Sequence, residues 1–592
     1  MSTFLPVTKK EIEKLGWDTL DVILFTGDAY IDHPAFGTAI IARIIESTGL
    51  KIAIVPQPNW QDDLRDFKKF GKPNLFFAVT SGNMDSMVNH YTANKRLRSD
   101  DAFTPGNKHG ARPDYAVTVY CQILKKLYPN VPIVIGGIEA SLRRLVHYDY
   151  WSNQLKPSVL LDSKADLLLY GMAEKNMLLL IDKLKKGLTI TQIKEHEQAA
   201  ILLDNLPNIE YLLLPSYEEC IKNKESFALS YRLIEENSSQ KSQKILVQPH
   251  GKQYIVVYPP SITTTEDLDS YYQLPYTRLP HPKYLKKEPI PAFKMIQNSI
   301  TIHRGCFGGC SFCSLAIHQG KFIVSRSKQS IEQEVDKLSQ MTYFKGYITD
   351  LGGPSANMYQ MNNINEEICK NCKRPSCIYP NICKNLQTDP SPLIQLYKKI
   401  RTKKGIKKVT IGSGIRYDIH IQQKQNKVHA EYLRELIVHH VSGRLKVAPE
   451  HIDNKVLKLM FKPSFHLFKE FFTFFENINR KYQLKQQLIP YFISNHPGST
   501  IESMVELAKT LKQLNIKPEQ VQDFTPTPMT LASVMYYTGI DPYTQKKVYV
   551  PKSMDERKLQ KELFFWYNPD NNYNIRQKLL SLQKKHLLKF IK

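Results

Sequence analysis

The chain has 592 residues, 42% hydrophobic and 23% charged, which excludes wholesale disorder; no apolar run approaches the ~18 residues of a spanning helix, which excludes an integral membrane protein. Its 81 Lys and Arg against 56 Asp and Glu give a net charge of +25, a balance that favours a polyanion such as RNA but arises equally from lysines scattered over solvated surface. The opening MSTFLPVTKKEIEKLG lacks the apolar core of a secretory signal, so a cytoplasmic protein is expected.

Short, continuous apolar runs at 20–25, 51–55, 75–79, 131–135 and 166–170 read as strands buried on both faces of a parallel sheet. Between the first two, 38–48 carries apolar residues at helical spacing and is stopped by Gly49. The βαβ rhythm predicts a doubly wound α/β domain over 1–195. Residues 196–290 hold a polar run (236–244), a Pro-rich run (275–291) and one strand-like run (254–258), and are expected to form an irregular connection. A second βα series follows. Strands are expected at 299–303, 345–350, 408–412, 444–448, 487–493 and 521–524, with helices at 330–341, 392–401, 431–441, 466–482 and 501–514. Six strands with five crossovers predict a partial (β/α)6 barrel over 291–545, with a Cys-rich insertion at 355–390. The phenylalanines of 465–478 fit a buried helix face better than a stacking platform. Residues 546–592 form a basic C-terminal extension that either docks on the barrel or touches RNA.

Seven of the nine cysteines fall between 306 and 383, a density that suits metal binding better than disulfides in a large chain without a secretory signal. Cys306, Cys310 and Cys313, spaced x3 and x2, follow the first barrel strand, on the side where such barrels place their active sites. Gly305, Gly308 and Gly309 let the backbone fold round inorganic sulfides. Three thiolates on a 4Fe-4S cluster leave one iron open, which implies a bound ligand or chemistry. The alternative is structural zinc with His303 or His318 as fourth donor. Cys369, Cys372, Cys377 and Cys383, spaced x2, x4 and x5, suffice for a closed second site, either zinc or a further iron–sulfur cluster.

The first triple resembles that of the radical S-adenosylmethionine (SAM) superfamily. The resemblance implies that Cys306, Cys310 and Cys313 hold a 4Fe-4S cluster whose open iron is chelated by the amino and carboxylate groups of SAM, with Phe312 against the adenine. It further implies SAM contacts from Gly352 and Gly353, where Pro354 replaces the acid often found in the superfamily, and from Ser413 or Arg416; the same Gly-rich stretches also read as tight βα turns. APEH (448–451) and SNHPG (494–498) close later strands. TGDAYIDHPAFG (26–37), SGNMDSMVNHYTANK (81–95), IGGIEASLRRLVHYDYW (135–151), TDLGGPSANMY (349–359) and CKRPSCIYPNICKNL (372–386) resemble the YgiQ-type radical SAM proteins across roughly residues 15–550. That family implies a cobalamin-binding-like N-terminal domain, a radical SAM barrel and a C-terminal extension, with a one-electron donor such as flavodoxin or ferredoxin; it supplies no substrate.

Cobalamin folds with a lower His ligand carry Asp-x-His-x-x-Gly. Here Asp32 and His33 are adjacent and Gly37 lies four residues on, although Gly136-Gly137 matches the later Gly-Gly turn. A cobalamin-like fold that binds no cobalamin is the leading expectation, with cobalamin bound without a His ligand as the alternative. Arg143, Arg144, His147 and Tyr148 either face the barrel or make interdomain contacts. The expectation is a radical SAM enzyme of unknown substrate, with RNA modification suggested by the charge. The alternatives are a zinc-stabilised, non-catalytic RNA-binding protein and an iron–sulfur electron-transfer or sensor protein.

Overall fold

The structure is a computed structural model that describes residues 3–237 and 244–590. Its N-terminal half is built on a nine-stranded sheet in the order Ile52–Pro56, Val22–Thr26, Phe76–Thr80, Ile133–Gly136, Leu167–Leu169, Ala199–Leu203, Gln253–Val257, Ile245–His250, Tyr211–Leu213. The first five pair in parallel, as their unbroken apolar runs require. Alternate residues face opposite layers. Val22 and Leu24 pack with Ile40, Ile44 and Leu180 of helices Gly37–Ser47 and Glu174–Lys185. Ile23 and Phe25 pack with Val117, Tyr120 and Leu124 of Ala116–Leu127 on the other side. The order reverses between Val22–Thr26 and Phe76–Thr80, so this doubly wound sheet has its switch point beside Gly27 and Ser81.

Residues 196–290 depart from expectation. Instead of an irregular connection they add four strands to the same sheet, with antiparallel pairings, and the helices Lys224–Asn237 and Thr265–Gln273. Two residues that are rare within strands hide this in the sequence. Gln248 sits mid-strand but is buried and satisfied: its Oε1 accepts from Val146 N at 2.8 Å and its Nε2 donates to Pro215 O at 3.0 Å and Ser230 Oγ at 3.1 Å. Pro249 is tolerated because the edge strand Tyr211–Leu213 pairs only with 245–247, short of the proline. Most of the polar run 236–244, residues 238–243, lies outside the described residues.

The C-terminal half carries six strand positions in parallel succession. Ser299–Thr301 pairs with Asp350–Gly352, and Tyr347–Ile348 with Lys408–Val409. An Ile415–Val447 bridge leads to Arg444–Glu450, which pairs with Gln487–Ser494, and that strand with Gln520–Asp523. The intervening helices are Lys328–Ser339, Ser391–Arg401, Lys427–Glu435 (continued by a π turn, Leu436–His440), Phe465–Lys481 and Ile501–Gln513. This is the partial barrel that the alternation of strand and helix predicts. Phe465, Phe468, Phe471 and Phe475 form the buried stripe of the aromatic helix, so those rings are core.

The C-terminal extension docks on the barrel. Helix Met554–Phe564 inserts Leu559, Leu563 and Phe564 into the barrel core, where Phe564 meets Phe492 at 5.6 Å between ring centroids. Arg557 then reaches the N-terminal half, donating to Tyr150 Oη at 2.6 Å and Ala93 O at 2.8 Å. Among the described residues no helix is long and apolar enough to cross a membrane.

Candidate functional site

The loop carrying Cys306, Cys310 and Cys313 leaves the first barrel strand through Gly305, whose φ of +87° belongs to the left-handed region; a Cβ there would lie 2.1 Å from Phe322 O. Three backbone bonds fix the loop: Cys306 N donates to Gly320 O (3.0 Å), Ser311 N to Met460 O (3.1 Å), and Ala532 N to Ser311 O (2.9 Å). Gly308 lets a guanidinium approach, since a Cβ would stand 2.6 Å from Arg416 Nη1 and 3.2 Å from Cys306 Sγ. Gly309, at φ +59°, lies against the Pro375 carbonyl of the Cys-rich insertion.

Burial pushes the Cys306 thiol up to about 11, and its neighbour Cys310 raises it further. Burial, then Cys310 and Cys306, carry Cys313 to about 12. Thiols raised in this way, as at Cys306 and Cys313, are poor free thiolates and good ligands, because a cationic core relieves the desolvation of the charged form. The chain also supplies positive charge: Arg416 Nη1 lies 3.7 Å from Cys310 Sγ. Arg416 is held by Asp418 through a fork of 2.9 and 2.8 Å. Burial lifts the Asp418 carboxyl, but Arg416 outweighs it and keeps Asp418 below the usual carboxylate range. The Asn357 side chain exchanges hydrogen bonds of 2.8 and 2.9 Å with the Arg416 backbone, which fixes the start of the third-strand loop. A second buried pair, Lys462 and Glu450 at 3.7 Å, closes the set.

The other expected SAM-contacting positions divide. Arg416 stands at the cysteine loop. The Ser413 hydroxyl donates to Asp350 Oδ1 at 2.9 Å, an oxygen that also accepts from Gly412 N and Ser413 N. Gly352 and Gly353 are close-approach positions: a Cβ on the first would meet Ser413 Oγ at 2.3 Å, and on the second the His303 ring at 2.6 Å. Phe312 is half-buried, edge-on to His496 at 6.0 Å. Lys462 carried no signal in the sequence, because nothing local marks it; Glu450 could be found only through its place at the end of the fourth strand, where it adopts φ +68°.

Cys310 and Cys313 border a cavity between the two halves, walled by Arg144, Tyr170, Tyr231 and Met529. Arg144 therefore faces the barrel: its guanidinium lies over Tyr170 at 4.6 Å and donates to Ser141 O at 2.7 Å. Tyr148 packs on Tyr537 at 4.7 Å, Arg143 pairs with Asp85, and buried His147 is lowered by desolvation to about 3. A neighbouring cavity at the switch point of the sheet is lined by Thr38, Thr80, Asn83, Gly136 and Gly137 and shares Gly171, Met172 and His318 with the first. Asp32 and His33 belong instead to the interior. Asp32 pairs with Arg43 at 2.5 Å and accepts from Thr277 N at 2.9 Å, and His33 Nδ1 accepts from Ala35 N at 3.0 Å.

Cys369, Cys372, Cys377 and Cys383 line one pocket in the insertion. Burial raises the Cys377 thiol to about 12, and Cys383, Cys372 and Cys369 each lie near enough to add to that shift. Cys377 N donates to Phe307 O at 3.1 Å, so the two cysteine groups are joined through backbone. Among the described residues, no three His, Cys, Asp or Glu side chains close on one point as a single metal ion requires.

Comparisons with known proteins bear out the family resemblance. Residues 4–299 match the family model described as Radical SAM N-terminal, and residues 519–592 match a domain of unknown function, DUF3362. A UPF0313 protein of Bacteroides thetaiotaomicron is 53% identical over 99% of this chain and 98% of its own length. One from Porphyromonas gingivalis is 51% identical (99% and 94%), and one from Methanocella arvoryzae 44% identical (98% and 96%). Among solved structures, the radical SAM methyltransferase TsrM from Kitasatospora setae, with cobalamin and a [4Fe-4S] cluster bound, aligns at TM-score 0.48 and 13% identity over 87% of this chain and 77% of its own. The cobalamin-dependent SAM radical enzyme OxsB aligns at TM-score 0.46 and 11% identity over 87% and 55%. With relatives this similar over nearly its whole length, the chain belongs to the UPF0313, or YgiQ-type, family of radical SAM proteins.

Proposed function

We propose that this chain is a radical SAM enzyme in which Cys306, Cys310 and Cys313 hold a 4Fe-4S cluster and SAM is the cosubstrate. The observation that carries the reading is the placement of three half-buried thiols on one glycine-rich loop at the mouth of a partial barrel, two of them bordering an interdomain cavity. Cys306, Cys310 and Cys313 would hold the cluster, which, charged by a one-electron donor such as flavodoxin or ferredoxin, would supply the electron for reductive cleavage of SAM.

The chain's own residues do the rest. The backbone bonds of Cys306 and Ser311 hold the loop against the barrel, and Arg416, fixed by Asp418 and Asn357, offsets thiolate charge at Cys310. Phe312 offers a half-buried ring beside the loop for an adenine. Arg144, Tyr170 and Tyr231 form the wall opposite, where a substrate is shielded from water.

Anaerobic reconstitution, reduction in the presence of SAM and assay for 5′-deoxyadenosine test the proposal. The wild-type chain is expected to form the nucleoside and Cys310→Ala to form none, with one cluster's iron lost. Zinc alone in the anaerobically purified chain, or nucleoside formation by Cys310→Ala, overturns it. Iron without any nucleoside favours the electron-transfer reading.

A further inference from the structure

We propose that Cys369, Cys372, Cys377 and Cys383 bind a second 4Fe-4S cluster, capped by protein on all four irons, in the insertion beside the first loop. The insertion is tied at its base. Asn363 and Leu386 form an antiparallel bridge, and Asn385 clasps Asn365 by Nδ2 to Asn365 O (2.7 Å) and Oδ1 from Asn365 N (2.8 Å). This clasp brings the two ends of the cysteine run together. Within it the only regular helix among the described residues is the five-residue Glu366–Lys370, so little secondary structure holds the run in place.

All four sulfurs border one cavity, and its remaining wall is largely apolar, with Phe307, Ile323, Met361 and Leu386. A single zinc ion draws four thiolates to about 2.3 Å from one centre and leaves no room among them. Here the four thiols border one shared cavity. A cubane suits that arrangement, since each thiolate takes its own iron and the sulfides fill the middle against an apolar lining. The x2, x4, x5 spacing also lacks the second C-x2-C knuckle usual in structural zinc sites.

The polar groups present fit the same core. Asn385 Nδ2 donates to Cys369 Sγ at 3.3 Å, a hydrogen bond of the kind that tunes cluster potentials. Lys321 and Arg374 line the cavity and offset the excess negative charge of four thiolates. The cavity is contiguous with the first loop: Cys306 and Cys377 pack in one apolar cluster with Phe307 and Met361, and Gly309 touches Pro375. With every iron capped, this cluster offers no vertex to SAM, unlike the one proposed for the first loop.

The test counts iron and acid-labile sulfide in full-length chains reconstituted anaerobically with ferrous iron and sulfide, with Mössbauer spectra of the ⁵⁷Fe-loaded protein. The wild type is expected to hold about eight irons and eight sulfides, and both Cys306→Ala/Cys310→Ala/Cys313→Ala and Cys377→Ala/Cys383→Ala about four each. The triple variant decides alone if the double variant fails to fold: four irons with a 4Fe-4S spectrum support the second site even if the wild type makes no 5′-deoxyadenosine. A triple variant without iron, a double variant with the full wild-type complement, or about one zinc in place of the second set of irons overturns it.

Discussion

A methyl group at Gly309 would land 2.1 Å from the Pro375 carbonyl oxygen, and the residue's φ of +59° is one that L side chains rarely adopt. Gly309→Ala therefore combines a backbone penalty of about 1–2 kcal/mol with a clash that no rotamer relieves. The variant is expected to be destabilised by roughly 2–4 kcal/mol in urea titrations, and to lose the iron proposed for both cysteine groups, because separating Gly309 from Pro375 moves both loops. A variant with wild-type iron would show that the contact is incidental. At this scale the sequence was legible where chemistry is local. Three cysteines within eight residues announce themselves, and so do the glycines between them. Arg416 was legible as a strand-end residue, but its pairing to Cys310, 106 residues away, was not. Glu450 was likewise legible only as part of the strand-ending APEH, and Lys462 not at all, because their meaning is a buried contact made by tertiary packing.

The π turn Leu436–His440 shows how one element ties down the third barrel strand. His440 Nδ1 lies 3.0 Å from Val409 O, and its Nε2 lies 3.3 Å from Glu435 Oε1, which also accepts from Arg401 Nε at 2.9 Å. Burial raises the Glu435 carboxyl, but His440 and Arg401 outweigh it and bring it from its ordinary 4.5 to about 2. A folded value below the unfolded one means that this carboxylate contributes stability in full above pH 4.5 and loses it as the pH falls towards 2. Glu435→Gln is expected to lower stability at pH 7 and to flatten its fall between pH 4.5 and 2, measured by urea unfolding at a series of pH values. An unchanged acid limb would show that the carboxylate is not the titrating group. The helices and parallel strands were read closely because their apolar residues recur at fixed periods. Of the additions at 199–257, the strand-like run 254–258 matches Gln253–Val257; the others escaped because they are short, carry Gln248 and Pro249 inside a strand, and depend on burial partners as distant as Val146.

The two halves and the extension act as one body. The sheet's switch point and the barrel mouth face a shared pair of cavities, Arg304 of the first barrel strands pairs with Glu174 of the sheet domain at 2.5 Å, and Arg557 reaches back from the extension. Arg557→Ala is expected to raise amide hydrogen exchange at 554–564 and around Ala93 and Tyr150, while the parallel strands stay protected. Uniform protection would show that the apolar packing of Leu559 and Phe564 suffices alone. The net charge of +25 announced none of this architecture, since most Lys and Arg lie on solvated surface and the few that organise the interior are single residues.

The partners of Arg557 lie 407 and 464 positions earlier in the chain. During translation the cysteine-bearing segments therefore leave the ribosome well before this last clasp can form. Until then the Tyr150 hydroxyl and the Ala93 carbonyl lack the guanidinium that joins them to the extension, so this tie is among the last long-range contacts the chain can make.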